Sequence, residues 1–98
     1  MAIGDAVVVA STSVANNAYI TIQPGAGIEW VIHNIHAPNT AAIEMYVTDG
    51  TNDILTDKNT GGWLGYFIHL TNAQYMKVKN VSGASIYMKY DGIITKST

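Results

Sequence analysis

Apolar and polar residues alternate along this chain with a period of two, and turn-forming residues interrupt the alternation about every 8–12 residues. Such a pattern belongs to antiparallel strands that show one face to a core and the other to water. No window longer than a few residues carries a helical period. The first strand is predicted over Ala6–Ser11, followed by a loop at Ser13-Val14-Ala15-Asn16-Asn17. Tyr19-Ile20-Thr21-Ile22 is the next strand, closed by Gln23-Pro24-Gly25-Ala26-Gly27, where Pro-Gly suits a type II turn. Ile28 to Ala37 is predicted as the third strand and the longest. Ile28, Trp30 and Ile32 share one face and Val31 and Ile35 the other, which predicts a central strand or a bulge that switches the face.

Ile43-Glu44-Met45-Tyr46-Val47-Thr48 alternates cleanly, with Ile43, Met45 and Val47 inward. Asp49-Gly50 predicts a type I′ hairpin turn, Asp53–Thr56 a short return strand, and Lys58–Gly62 a loop. Trp63 to Leu70 is apolar on both sides: Leu64, Tyr66, Ile68 and Leu70 on one, Trp63, Phe67 and His69 on the other. Tyr75–Val81 sends Met76 and Val78 inward and Lys77 and Lys79 outward. Ser82-Gly83 turns the chain into Ala84–Tyr90, with Ile86 and Met88 buried. Asp91-Gly92 reads as a second hairpin turn before a short closing strand, Ile93–Thr95. Eight or nine short strands in 98 residues leave no room for a helix. The expected fold is all-β: a jelly-roll-like antiparallel β-sandwich forming a single domain over residues 1–98.

Composition sharpens this picture at one point. Only 12% of the residues are charged, against roughly 25% in an ordinary soluble domain, and the mean hydropathy is +0.13. Sheets so poor in charge are expected to bury surface against neighbours, because interface cores are depleted in Lys, Glu and Asp. All five cations are lysines and the net charge is −2. Without arginine's planar fork, nucleic acid is not an expected partner. No apolar run approaches the roughly 20 residues of a membrane helix, and the start of the chain lacks the basic and apolar regions of a signal peptide, so the protein is expected to act where it is made and without a membrane partner. Cysteine is absent, which removes disulfides and thiolate metal sites.

Candidate chemistry is sparse. His33 and His36 are three apart on a strand and point to opposite faces unless a bulge intervenes, while His69 lies on another strand, so ordinary sheet histidines are the better reading. Asp49, Asp53 and Asp57, with Asn52 among them, lack the ligand order of a calcium loop. A carboxylate pair for glycoside chemistry could be made from Glu29 and Glu44 on adjacent strands, but isolated glutamates on wet strand faces are commoner, and no nucleophile elbow or phosphate loop is present. The expectation is a non-enzymatic protein with no metal and no cofactor. Trp30, Trp63, Tyr19, Tyr46, Tyr66, Tyr75, Tyr87 and Tyr90 are many aromatics for this length; core filling and subunit contacts account for them better than sugar stacking, which stays as the alternative of a carbohydrate-binding module.

The stretch from Ile20 to Ile35, ITIQPGAGIEWVIHNI, resembles a pattern of small phage virion proteins in which a strand ending in Pro-x-Gly leads into a Trp-containing strand. Asn80–Ile86 and Tyr90–Ile93 are similar to the closing hairpins of such domains. The resemblance implies a β-sandwich accessory protein of a virion assembled in the host cytoplasm, either a head decoration or cement protein or a tail or fibre component. Its expected partners are further copies of itself, a trimer first of all, and the major capsid protein or other virion proteins. No functional residue carries over from the resemblance. From the two-sided apolar strands, Val31, Trp63 and Phe67 are the expected contacts beyond the monomer core.

Overall fold

Why a chain this polar in its loops closes into one core is visible in its regularly alternating strands. In Tyr19-Ile20-Thr21-Ile22 the two isoleucines are buried and Thr21 between them is exposed; in Tyr75–Asn80 Met76 and Val78 are fully enclosed with Lys77 and Lys79 on the wet side. The computed structural model describes residues 2–97 and places nine strands among them: β1 (Ala6–Val8), β2 (Thr12–Val14), β3 (Tyr19–Ile22), β4 (Glu29–His36), β5 (Ala42–Thr48), β6 (Asp53–Thr60), β7 (Trp63–Leu70), β8 (Tyr75–Asn80) and β9 (Ile86–Lys96). Every pairing is antiparallel. One sheet has the order β1-β9-β4-β7, with β2 also on β9; the other has the order β3-β8-β5-β6. The protein is an all-β antiparallel sandwich. Partners are nested: β5 pairs with β6, β4 with β7, β3 with β8, and β1 and β2 with β9.

Several boundaries differ from those expected. The first strand stops at Val8, and the segment read as loop contributes β2, because β9 is 11 residues long and offers ladder to both β1 and β2. The turn before β4 lies two residues beyond Pro24-Gly25: Ile28 N–H donates to the Gly25 carbonyl at 3.1 Å and Gly27, at φ 75°, supplies the positive φ of a type II turn. Asp49-Gly50 does turn the chain, but only Gly50 has positive φ, so the turn is not type I′. Instead the Asp49 carboxylate accepts the Thr51 and Asn52 amides at 2.9 and 2.7 Å, which holds Asp49 below its usual carboxylate range. Lys58–Thr60, expected as loop, continue β6 because β5 supplies partners as far as Ala42.

Asp91-Gly92 is the largest departure. No turn forms there; β9 runs straight through both residues. Gly92 faces Ile32 of β4, and a side chain at this position would run into the Val31 carbonyl. Glycine inside a strand marks close approach of another backbone, and here it lets two central strands of the sheet meet.

One buried asparagine ties the layers at their end. Asn80 is fully enclosed; its Nδ2 donates to the Val14 and Ala84 carbonyls at 2.8 and 2.7 Å, and its Oδ1 accepts from the Ser82 amide and hydroxyl.

Candidate interaction surface

The outer face of the five-stranded sheet is shaped by the bulge that the two-faced β4 pattern allowed. Pairing of β4 with both β9 and β7 slips between Ile32 and Asn34; His33 is the extra residue against β9, whereas against β7 the surplus lies on β7. Ile32 and Ile35, three apart, therefore both reach the core, and Asn34 turns outward. Its Nδ2 donates to Asp91 Oδ1 at 2.7 Å, while its Oδ1 accepts the Gly65 amide of β7 at 3.0 Å. His36 Nε2 meets Asp91 Oδ2 at 3.0 Å. Burial pushes the Asp91 carboxyl up, but the bonds from Asn34 and His36 outweigh it and hold the group below its usual range.

Opposite this bulge, β7 carries three residues, 65 to 67, against His33 alone, with Gly65 at φ 73°. The slip changes which side chains face the core. Trp63 and Leu70, seven apart and expected on opposite faces, are both buried in the core. Leu64 and Phe67 are turned out, 72% and 74% exposed, and the Phe67 ring meets the His33 ring edge-on at 5.2 Å.

Of the three residues expected to reach a neighbour, Phe67 is thus on the surface, whereas Val31 and Trp63 are enclosed within the single chain. Trp63 is a core residue whose Nε1 donates to Asp57 Oδ2 at 2.8 Å. Leu64 replaces it on the outside. Gly65 within an apolar run was the sequence signal for this bulge. Ile54 and Leu55 of β6 are likewise exposed, 64% and 43%, and were missed because Asp53–Thr56 reads as an ordinary hairpin return. β6 and β7 are the end strands of their two sheets, joined through Gly61-Gly62, and each leaves two large apolar side chains exposed.

The outer face of the four-stranded sheet is polar and aromatic. Tyr19 meets Tyr46 edge-on at 5.7 Å, and Lys77 Nζ lies 4.6 Å from the Tyr19 ring centre. Lys77 donates to Asp53 Oδ2 at 2.7 Å; the pair raises the lysine and lowers the carboxyl. Tyr46 donates its hydroxyl to Glu44 Oε1 at 2.8 Å, and this bond, with burial behind it, pushes the phenol up to about 12.

The remaining candidates are held apart. Asp49 closes its turn, Asp53 pairs with Lys77 and Asp57 accepts from Trp63. Glu29 and Glu44 sit in different sheets, near Lys96 at 3.8 Å and Lys58 at 3.9 Å, and not on adjacent strands. The bulge at His33 does intervene between His33 and His36, yet those rings are engaged with Phe67 and Asp91. Among the described residues no three His, Asp or Glu side chains are placed to hold a metal ion. Trp30 lies half-buried against the core, 6.3 Å from the Tyr90 ring; burial raises the Tyr90 phenol. Tyr87 is 67% exposed. Comparison with protein-family models finds no match to this chain, and comparison with curated proteins finds none either.

Proposed function

We propose that the protein is a non-enzymatic structural component of a virion, a decoration or cement protein that stabilises a capsid through protein–protein contacts. The observation that carries this reading is that the edge strands β6 and β7 leave Ile54, Leu55, Leu64 and Phe67 exposed on a chain with few charges. Large apolar side chains left exposed on edge strands are surfaces that assembly covers. The nested strand pairing supports the jelly-roll description of the sandwich, an architecture used by capsid and by lectin domains alike. Mechanistically, the sandwich is a rigid unit whose edge strands bury against neighbours, adding contacts that resist expansion of a shell. Further copies of the chain and the major capsid protein are its partners, with no cofactor. The sequence resemblance to phage accessory proteins supports the same placement, and a tail or fibre component is the near alternative.

Quantitative mass spectrometry of purified particles tests it. A copy number near that of the shell subunit supports decoration, a handful of copies moves the protein to the tail or fibre, and absence from particles overturns the reading.

A second reading, carbohydrate binding, is favoured by the Tyr19–Tyr46 pair on the outer face of the four-stranded sheet. Aromatic faces of this kind stack on sugar rings. A glycan array that responds, and stops responding in Tyr19→Ala, would support it.

A further inference from the structure

The two tryptophans of this chain are placed differently. Trp63 Nε1 donates to Asp57, whereas Trp30 Nε1 is enclosed and meets no acceptor among the described residues. Buried indole N–H groups usually find a partner, and one left without it calls for a reason. Trp30 also forms part of the wall of a cavity of about 260 Å³, whose other lining residues are Ala6, Val7, Val8, Val9 and Tyr90.

That cavity has the make-up of a small-molecule site. No ionised group lines it. Ala6 and Val8, both exposed, stand at its rim; Val7 and Tyr90, each 9% exposed, lie deeper, with Val9 and Trp30 packed against the core. No residue of the four-stranded sheet takes part, which puts the cavity at the β1 edge of the sandwich. Tyr90 brings a second polar group: its hydroxyl has no hydrogen-bond partner among the described residues, and burial alone raises the phenol. Apolar walls with a few polar groups to fix orientation are the usual composition of a ligand pocket. An apolar cavity of about 150 Å³ already holds benzene, so this one has room for a single ring with a short substituent.

Two other hollows in the fold lack this feature. The one beside Glu44 and Lys58 has its carboxylate bonded to Tyr46, and the one beside His36 has its imidazole on Asp91. Their polar groups are engaged. The Trp30 donor is still unused.

We infer that the cavity at Trp30 binds a small, neutral, apolar molecule carrying one acceptor oxygen, an aryl ketone in size and kind, with that oxygen accepting from Trp30 Nε1. A charged ligand would meet no counter-charge in these walls. A ligand without an acceptor would leave the indole N–H as unmet as before. The yielding side of the cavity is β1, three residues long and paired with β9 alone among the described strands, so a small shift of Val7 and Val8 opens the way to the enclosed nitrogen. The bound molecule then holds β1 against the core. This site goes beyond the assembly role and does not depend on it.

Acetophenone is the probe, and α-methylstyrene, nearly the same shape with a methylene group in place of the carbonyl oxygen, is its control. A proton–nitrogen correlation spectrum of the chain shows the two indole N–H signals, and Trp30→Phe assigns one of them by its loss. Acetophenone should move the Trp30 signal downfield to saturation and leave that of Trp63 in place. With both probes followed through the Val7 and Val9 methyl signals, α-methylstyrene should bind at least tenfold more weakly. No saturable shift of the Trp30 signal, or equal affinity for the two probes, overturns the proposal.

Trp30→Phe keeps a ring in the wall and removes the donor. The preference for acetophenone should vanish in it while circular dichroism stays that of the parent. A tenfold preference that survives in the folded variant overturns the role of Trp30. Should this variant fail to fold, the comparison of the two probes on the parent chain decides by itself.

Discussion

Asn80 donates its side-chain amide to the Val14 carbonyl at 2.8 Å, joining residues 66 positions apart inside a fully buried site. The same side chain spans β2, β8 and the turn into β9. A buried polar group so completely satisfied fixes where the backbones around it must sit.

Asn80→Ala should therefore be among the most destabilising single changes in the chain. It strands the Val14 carbonyl in the buried site, while the Ala84 carbonyl keeps the Ser82 hydroxyl at 3.0 Å, and a loss of about 1–3 kcal/mol is expected from the unmet buried group. Urea unfolding at constant slope measures it. Ser82→Ala, which removes only the hydroxyl from the network, should cost about 1 kcal/mol or less.

Gly92→Ala tests the contact between β9 and β4. A methyl group at this position meets the Val31 carbonyl and the Ile32 backbone, neither of which can move without opening the centre of the sheet. The expected loss lies above the common range of about 0.5–3 kcal/mol for a point change. Gly83→Ala is the matched control: its added methyl meets nothing within 4 Å, and only its φ of 94° is strained. Comparing thermal midpoints of the two variants separates collision from backbone strain.

Asp53 and Lys77 give the protein an acid-sensitive contact. The Lys77 hydrogen bond first, and that of Thr48 after it, hold the Asp53 carboxyl below 3.8, the value it has unfolded. The folded state thus binds this proton less readily than the unfolded chain, so the contribution is complete above pH 3.8 and disappears as pH falls through the depressed folded value. Carboxyl carbon shifts followed by NMR should put the Asp53 midpoint below 3.8, and Lys77→Met should return it upward. An Asp53 midpoint at or above 3.8 in the parent would remove the contact from the account of stability.

Legibility in the sequence followed the range of the interactions involved. Residues whose neighbours on both sides alternate, Ile20 and Ile22 or Met76 and Val78, declared their burial locally, because the pleat alone assigns the face. Trp63 and Leu64 did not. Their faces depend on how residues 65–67 are accommodated opposite His33 of another strand, and the local trace of this is Gly65. Gly92 misled for a related reason: Asp-Gly is a turn signal in isolation, and the crowding that makes it a strand residue comes from Val31, far away in the chain. The exposed apolar residues followed suit, with Phe67 legible as an excess apolar residue and Leu64, Ile54 and Leu55 not.

By itself, then, the sequence determined that the chain is made of antiparallel strands and, for the regular ones, which side chains leave water, since period two and turn chemistry act over a few residues. Which strand lies beside which, where the ladders slip, and which apolar groups are left outside were decided only when nested, long-range pairing set backbones side by side. There a mismatch in residue number between two paired strands changes which side chains share a face, and no simple alternation records it.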